Sequence, residues 1–293
     1  MKKVFFTAFA AALALVACNR NEDVQVAGSG KIRIEAHVVS PGTGTRATGV
    51  TAQSGRNDSV DESAINSLQV FVFNGEAVDG VSPYVEKSNV AVVPCTGGQR
   101  EVYAVVNCPN LSGSVTSRTS LLQQVATLGS SASAFQMLGS TSAMLTDGSN
   151  VEINVKRHAA RVVIRKIRNS LNNEALASQF RILAVYLTNV AGDVDFGHSS
   201  NYSIENWYNR RGYESNNNLG AVTYDAVNAA VAYGEANTYS TAHYFYSMPN
   251  AYPGAVGGVF TPRAARLVVK VQIGENVYDY PILFPALESN KSY

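Results

Sequence analysis

The sequence predicts an all-β protein, and three observations predict it. Val, Thr, Tyr, Ser and Asn are abundant, period-2 alternation recurs in short runs bounded by Gly, Pro and Asn, and helical periodicity is confined to one segment. At 293 residues the chain exceeds the usual size of one β-sandwich, so two in tandem are expected, each long enough for its own core. The formal net charge of +1 is spread unevenly. Residues 1–46 hold six Lys/Arg against three Asp/Glu, which leaves 17 basic and 19 acidic side chains, a net of −2, beyond them. Neither balance calls for a nucleic-acid partner.

The chain opens on an export signal over residues 1–18. Met1-Lys-Lys-Val followed by apolar Phe5 to Val16 is too short to span a bilayer. It ends in Leu15-Val16-Ala17-Cys18, which resembles the lipobox of bacterial lipoproteins. That resemblance implies a diacylated Cys18 as the new N-terminus, and Asn19 after it favours the outer membrane. Residues 19–46 read as a propeptide. Within it Ile32, Ile34, Ala36 and Val38 fall on one face and Lys31, Arg33, Glu35 and His37 on the other, the pattern of a half-buried strand. The Gly/Thr-rich stretch from Pro41 to Gly49 follows, with Arg46-Ala47 as the expected cleavage site and Arg56 as a second candidate. A lipid-tethered strand followed by a cuttable arginine predicts a sheet that is complete before the cut and opened by it.

Residues 47–157 are expected to form the first sandwich. Val50 to Ser63 is linker-like, and Ile65 to Phe73 is a strand with one buried face, stopped by Asn74-Gly75. Val90–Pro94 and Glu101–Asn107 read as a hairpin turning at Thr96-Gly97-Gly98, closed by Pro109. That hairpin would hold Cys95 and Cys108 roughly 20 Å apart, so two buried free thiols are expected. Ser117 to Leu128 is the helix-like segment, with Leu121, Leu122, Val125 and Leu128 on one stripe. Phe135–Gly139 and Val151–Val155 complete this half.

Residues 158–293 are expected to form the second sandwich. The basic run Lys156 to Arg168 reads as a polar interdomain turn plus a solvated strand face. Strands are expected over Phe180–Val190, Thr241–Tyr246, Arg266–Ile273 and Val277–Phe284, and a loop dense in Asn, Tyr and Arg over Ala191–Asn218. In that loop Trp207, Tyr208, Arg210 and Arg211 are the candidate surface-binding residues, because aromatics beside arginines suit sugars or protein surfaces. Ordinary loop packing is the competing reading, and either way the loop is expected to be exposed and dispensable for folding.

No enzyme constellation, cofactor motif or metal site is expected. The four histidines, His37, His158, His198 and His243, lack metalloprotease spacing, and no nucleophile elbow is present. Asp193-Val-Asp195 with His198 reads as a turn-forming acidic loop rather than a metal seat.

Seven pieces taken in order resemble the fimbrillin family of lipoprotein-precursor pilus subunits. They are Leu15–Cys18, Thr45–Ala47, Leu68–Asn74, Val102–Asn107, Val155–Val162, Phe245–Asn250 and Asn290–Tyr293. The resemblance implies two transthyretin-like β-sandwiches, cleavage after an arginine by a trypsin-like surface protease, and polymerisation by strand exchange. It also implies other fimbrial subunits as partners, an outer-membrane precursor that becomes an extracellular fimbrium, and a host or bacterial surface ligand. Such subunits continue past the Asn-Lys-Ser-Tyr stretch into further strands, so the second sandwich is expected to lack its last strand or strands. The alternative is an end-capping or tip subunit that accepts a strand without giving one, or a lipid-anchored binding protein that does not polymerise.

Overall fold

A computed structural model describes residues 31–40, 61–129, 134–210, 212 and 217–293. Cys18, Arg46, Ala47, Arg56 and Arg211 lie outside the described residues. The first half holds β1 (Ile32–Val39), β2 (Ser67–Asn74), β3 (Ala77–Val81), β4 (Val85–Glu86), β5 (Val90–Cys95) and β6 (Gly98–Val106). Helix α1 (Arg118–Leu122) follows, then β7 (Val125–Thr127), β8 (Met137–Leu145), β9 (Asn150–Asn154) and β10 (Lys156–Arg157). The second half holds β11 (Ala160–Ile164), β12 (Ile167–Arg168), α2 (Glu174–Ala177), β13 (Phe180–Thr188), β14 (Val190–Ala191), β15 (Asp193–Asp195) and β16 (Trp207–Tyr208). It ends with β17 (Tyr224–Ala230), β18 (Thr238–Tyr239), β19 (His243–Ser247), β20 (Ala255–Val256), β21 (Val259–Phe260), β22 (Arg266–Ile273) and β23 (Asn276–Leu283). The chain is all-β, as the sequence predicts.

Two sheets build the first half. One runs β10-β8-β6-β2-β3, with β4 also on β2; the other runs β5-β1-β9. Their facing sides meet in one apolar cluster: Leu68, Val70 and Val72 of β2 and Val102, Ala104 and Val106 of β6 lie against Ile34, Ala36, Val38, Ala91, Val93 and Ile153. The opposite face of β2 is buried as well, because Phe71 and Phe73 enter a second cluster with residues of the other half. The strand therefore has two buried faces rather than the one its alternation suggests.

The expected hairpin is absent. β5 pairs with β1 and β6 with β2 and β8, so the Thr96–Gly98 turn crosses from one sheet to the other. Cys95 and Cys108 are free and buried, as expected, but they sit in different clusters instead of at the two ends of one hairpin. Burial pushes the Cys95 thiol up to about 11 and the Cys108 thiol up to about 12, which leaves both unreactive near neutrality. The helix is shorter than its periodicity suggests. Ser117 and Ser120 form a capping box, but the helix ends at Leu122, and Val125 to Thr127 leave it to pair with β15 of the other half. Tertiary pairing thus overrides the leucine stripe, and Val125 is 46% exposed.

In the second half β17-β13-β22-β23 form one sheet, facing the β11-β19 pair. A bulge in β13 between Ile182 and Ala184 shifts the side-chain alternation by one residue. Ile182 before it and Val185 and Leu187 after it consequently all face the core, with Leu267, Val269 and Val271 of β22. The C-terminal residues run parallel beside β11, where Arg161 N–H donates to Lys291 O and Val163 N–H to Tyr293 O, both at 2.9 Å.

Of the basic run, Lys156, Arg165, Lys166 and Arg168 are exposed as expected, whereas Arg157 is buried and Arg161 partly so. Glu62, from the linker-like segment, binds Arg157 Nη1 and Arg161 Nη1 at 2.9 Å each, and accepts from Tyr246 Oη at 2.9 Å. Arg157 Nε reaches Asn290 Oδ1 and Arg161 Nε reaches Ser292 Oγ, so one carboxylate gathers the linker, the junction of the halves and the C-terminal segment.

Candidate functional site

β1 is the middle strand of its sheet, and both its neighbours come from distant parts of the chain. Six of its residues, Ile32 to His37, register antiparallel with β5, and five, Glu35 to Val39, register parallel with β9. Ile34 and Ala36 are fully buried and Val38 nearly so, while Ile32 is partly buried at the end of the strand. The other face, with Arg33, Glu35, His37 and Val39, points outward as the alternation predicts. Asp147 Oδ1 accepts from Arg33 N–H at 3.0 Å at one end. At the other end Ser40 Oγ donates to Ser63 O at 2.8 Å, one residue beyond the Glu62 clamp. Those four apolar residues therefore act together, on a strand that no short turn ties to either partner.

The Trp207 region is more ordered than its composition suggests. Trp207 and Tyr208 pair with Ala191 and Val190, and both rings pack, partly buried, against the shared core. Gly192 allows this, because a Cβ there would fall 2.4 Å from Tyr208 Cε2. These rings thus form part of the core's edge rather than a fully exposed loop. Arg210 is exposed on the same stretch. Asp193–Asp195 form the buried strand β15 rather than a turn, and Asp193 accepts from Tyr202 Oη, Glu205 N–H, Asn206 N–H and Asn206 Nδ2 at 2.6–3.0 Å, so it organises the loop that follows. Among the described residues no cluster of His, Cys, Asp and Glu is placed to hold a metal.

Two histidine arrangements were illegible from spacing. His243 is fully buried, with Nδ1 at 2.7 Å from Asp225 Oδ2 and Nε2 at 2.9 Å from Tyr239 Oη, tying β17, β18 and β19 together. His158 is also buried, stacked on Phe196, with Nδ1 at 2.8 Å from His198 Nε2. Burial, then the neighbouring His198, pushes His158 down to about 3. An unfolded histidine titrates near 6.5, so stability is complete above that pH and is lost as pH falls towards the folded value, at about 1.4 kcal/mol per pH unit. Denaturant melts should accordingly show wild type losing about 2 kcal/mol between pH 7 and 5 through this site. His158→Gln should remove most of that loss; an unchanged pH slope in the variant would exclude the assignment.

Against this geometry, the family described as major fimbrial subunit protein (FimA) matches residues 32–157, the span from the start of β1 to the end of β10. Over that span the chain is similar to the fimbrillin family. The major fimbrium subunit FimA type-2 of Porphyromonas gingivalis is 31% identical over 108 residues, which are 36% of this chain and 25% of that protein. The match thus spans a quarter of the relative's length. Two solved structures extend the likeness in fold to both halves of the chain. A protein from Bacteroides eggerthii assigned to cell adhesion has a TM-score of 0.61 at 18% identity, over 90% of this chain and 84% of that one. A fimbrilin from P. gingivalis has a TM-score of 0.55 at 15% identity, over 86% and 80%.

Proposed function

We propose that this chain is a member of the fimbrillin family and a building subunit of a surface fimbrium. It is exported as a precursor lipidated at Cys18, held in the outer membrane, cut between Arg46 and Ala47 by an arginine-specific surface protease, and polymerised with other fimbrial subunits by strand exchange. The observation that carries the reading is the place of β1: a central strand with buried Ile34, Ala36 and Val38, joined to β5 and β9 only by hydrogen bonds and packing. Burial of Ile34 and Val38 contributes about 1.5–3 kcal/mol each, so the strand is worth on the order of 5 kcal/mol before its ladder is counted. Release of β1 leaves two facing strand edges, on β5 and β9, above the apolar floor of β2 and β6. Such a slot accepts a strand whose apolar residues alternate, which is β-augmentation between subunits.

The test replaces both candidate arginines. Arg46→Ala with Arg56→Ala should leave a folded, membrane-bound monomer, whereas the wild-type precursor treated with trypsin should give SDS-resistant ladders. Ladders of equal yield from the double variant would overturn the mechanism.

A further inference from the structure

The second half carries a cleft that strand exchange does not use. It has a volume of about 890 Å3, and its lining includes Ser203, Trp207, Arg210, Asn217 and Arg263. That volume is in the range of small-molecule sites. A second hollow of about 370 Å3 shares Ser203, Trp207 and Arg263 and adds Tyr202 and Tyr252, so the two make one elongated groove with Trp207 between them. Among the described residues no Asp or Glu lines either hollow, and neither includes a residue of β1, β5 or β9. Arg210 and Arg263 are exposed and have no carboxylate partner among the described residues.

The groove is held by buried asparagines. Asn189 Nδ2 donates to Pro262 O and Ala264 O at 3.0 Å each, and Asn250 Nδ2 donates to Arg263 O at 2.9 Å, so the backbone that carries Arg263 is clamped on both sides. Asn209, with φ of 51°, donates to Leu187 O at 3.0 Å and sets the backbone just before Arg210. Trp207 is fixed by its Nε1–H to Ile204 O at 3.2 Å and by Asn217 Nδ2 on its carbonyl at 3.0 Å. Arg263 also lies 6.0 Å from the centroid of the Tyr252 ring.

We infer that this groove binds an acidic oligosaccharide, a sugar chain that carries carboxylates. Guanidinium forks without a carboxylate partner among the described residues match carboxylate geometry in two-point contact. The aromatic faces of Trp207 and Tyr252 suit the apolar faces of pyranose rings, and Ser203, Tyr202 and Asn217 supply neutral groups for hydroxyls. The volume of about 890 Å3 exceeds what a single sugar unit fills.

Trp207 is the only tryptophan of the chain, so its fluorescence reports the groove directly. The uncut full-length protein is titrated with a tetramer of galacturonic acid, a tetramer of sialic acid and, as the neutral probe, a tetramer of galactose. At least one acidic tetramer should give a saturable change in Trp207 emission that weakens with added salt, and the neutral one should bind at least tenfold more weakly. The two acidic arms distinguish uronate from sialate. Arg263→Ala and Arg210→Ala should each weaken the acidic tetramer at least fivefold, with thermal midpoints unchanged because both side chains are exposed. Arg263→Lys, which keeps the charge and the backbone but loses the fork, should also bind more weakly than wild type. No saturable change with either acidic tetramer, equal affinity for the neutral one, or full affinity in the arginine variants would overturn the inference. Because the uncut monomer is used, failure here leaves strand exchange untouched.

Discussion

Replacing Glu62 by leucine is expected to destabilise the protein by about 3–5 kcal/mol, a drop of about 10 °C in thermal midpoint for a chain of this size. The Glu62, Arg157 and Arg161 side chains are 14%, 8% and 13% exposed, so screening by water is weak. Loss of the carboxylate leaves two guanidinium groups facing each other with nothing of opposite charge between them. It also strands Tyr246 Oη, whose hydroxyl is already pushed well above its ordinary value by burial and then by Glu62. Replacing the whole set is a different matter, because apolar residues of similar volume can match a buried ion cluster. The triple variant Glu62→Leu, Arg157→Met, Arg161→Met should therefore recover most of the loss, and the double-mutant cycles among the three should show coupling above 1 kcal/mol. A single Glu62→Leu variant within 1 kcal/mol of wild type in urea melts would mean that the clamp holds nothing.

Glu62 also marks where the sequence stops being legible. Residues read correctly are those whose signal is local. The alternation of Ile32 to Val38 gives the strand and its faces, and Arg266 to Ile273 is a strand from end to end. What fails depends on partners far along the chain. Val90–Cys95 and Gly98–Val106 alternate and flank a glycine pair, which is also how a hairpin looks, and nothing local says that β5 belongs beside β1 instead. Arg157 and Arg161 look solvated in sequence because their counter-charge, Glu62, lies 95 residues away from Arg157. The parity of β13 changes at a bulge, where no glycine announces it.

The candidate site divides along the same line. Strand β1 is legible because its four apolar residues are consecutive alternates, whereas its central position between β5 and β9 is not. Composition singled out Trp207 and Arg210 but could not place Arg263 and Tyr252 beside them. Asparagine density was the available signal. Asn189, Asn209 and Asn250 are buried, and the first two adopt left-handed φ values of 52° and 51°, so these residues brace backbone where composition alone suggests a polar loop.

A second large effect concerns Ile34, and under the proposed strand exchange it separates the uncut chain from the polymer. Ile34 is fully exchanged for core contacts in the precursor, with no exposed surface. Truncating such a side chain costs about 2–5 kcal/mol, and a carboxylate placed there has no cationic partner, which adds to the cost. Ile34→Asp should therefore lower the thermal midpoint of the uncut precursor by at least about 10 °C. If β1 is released after cleavage and another subunit's strand takes its slot, residue 34 is no longer in the fold. Polymer assembled from the variant should then melt as wild-type polymer does. Val38→Ala, a milder change on the same face, should show the same split with a smaller precursor effect and keeps the comparison open should Ile34→Asp not fold. Equal destabilisation of precursor and polymer would mean that β1 stays in place, and strand exchange at this slot would have to be abandoned.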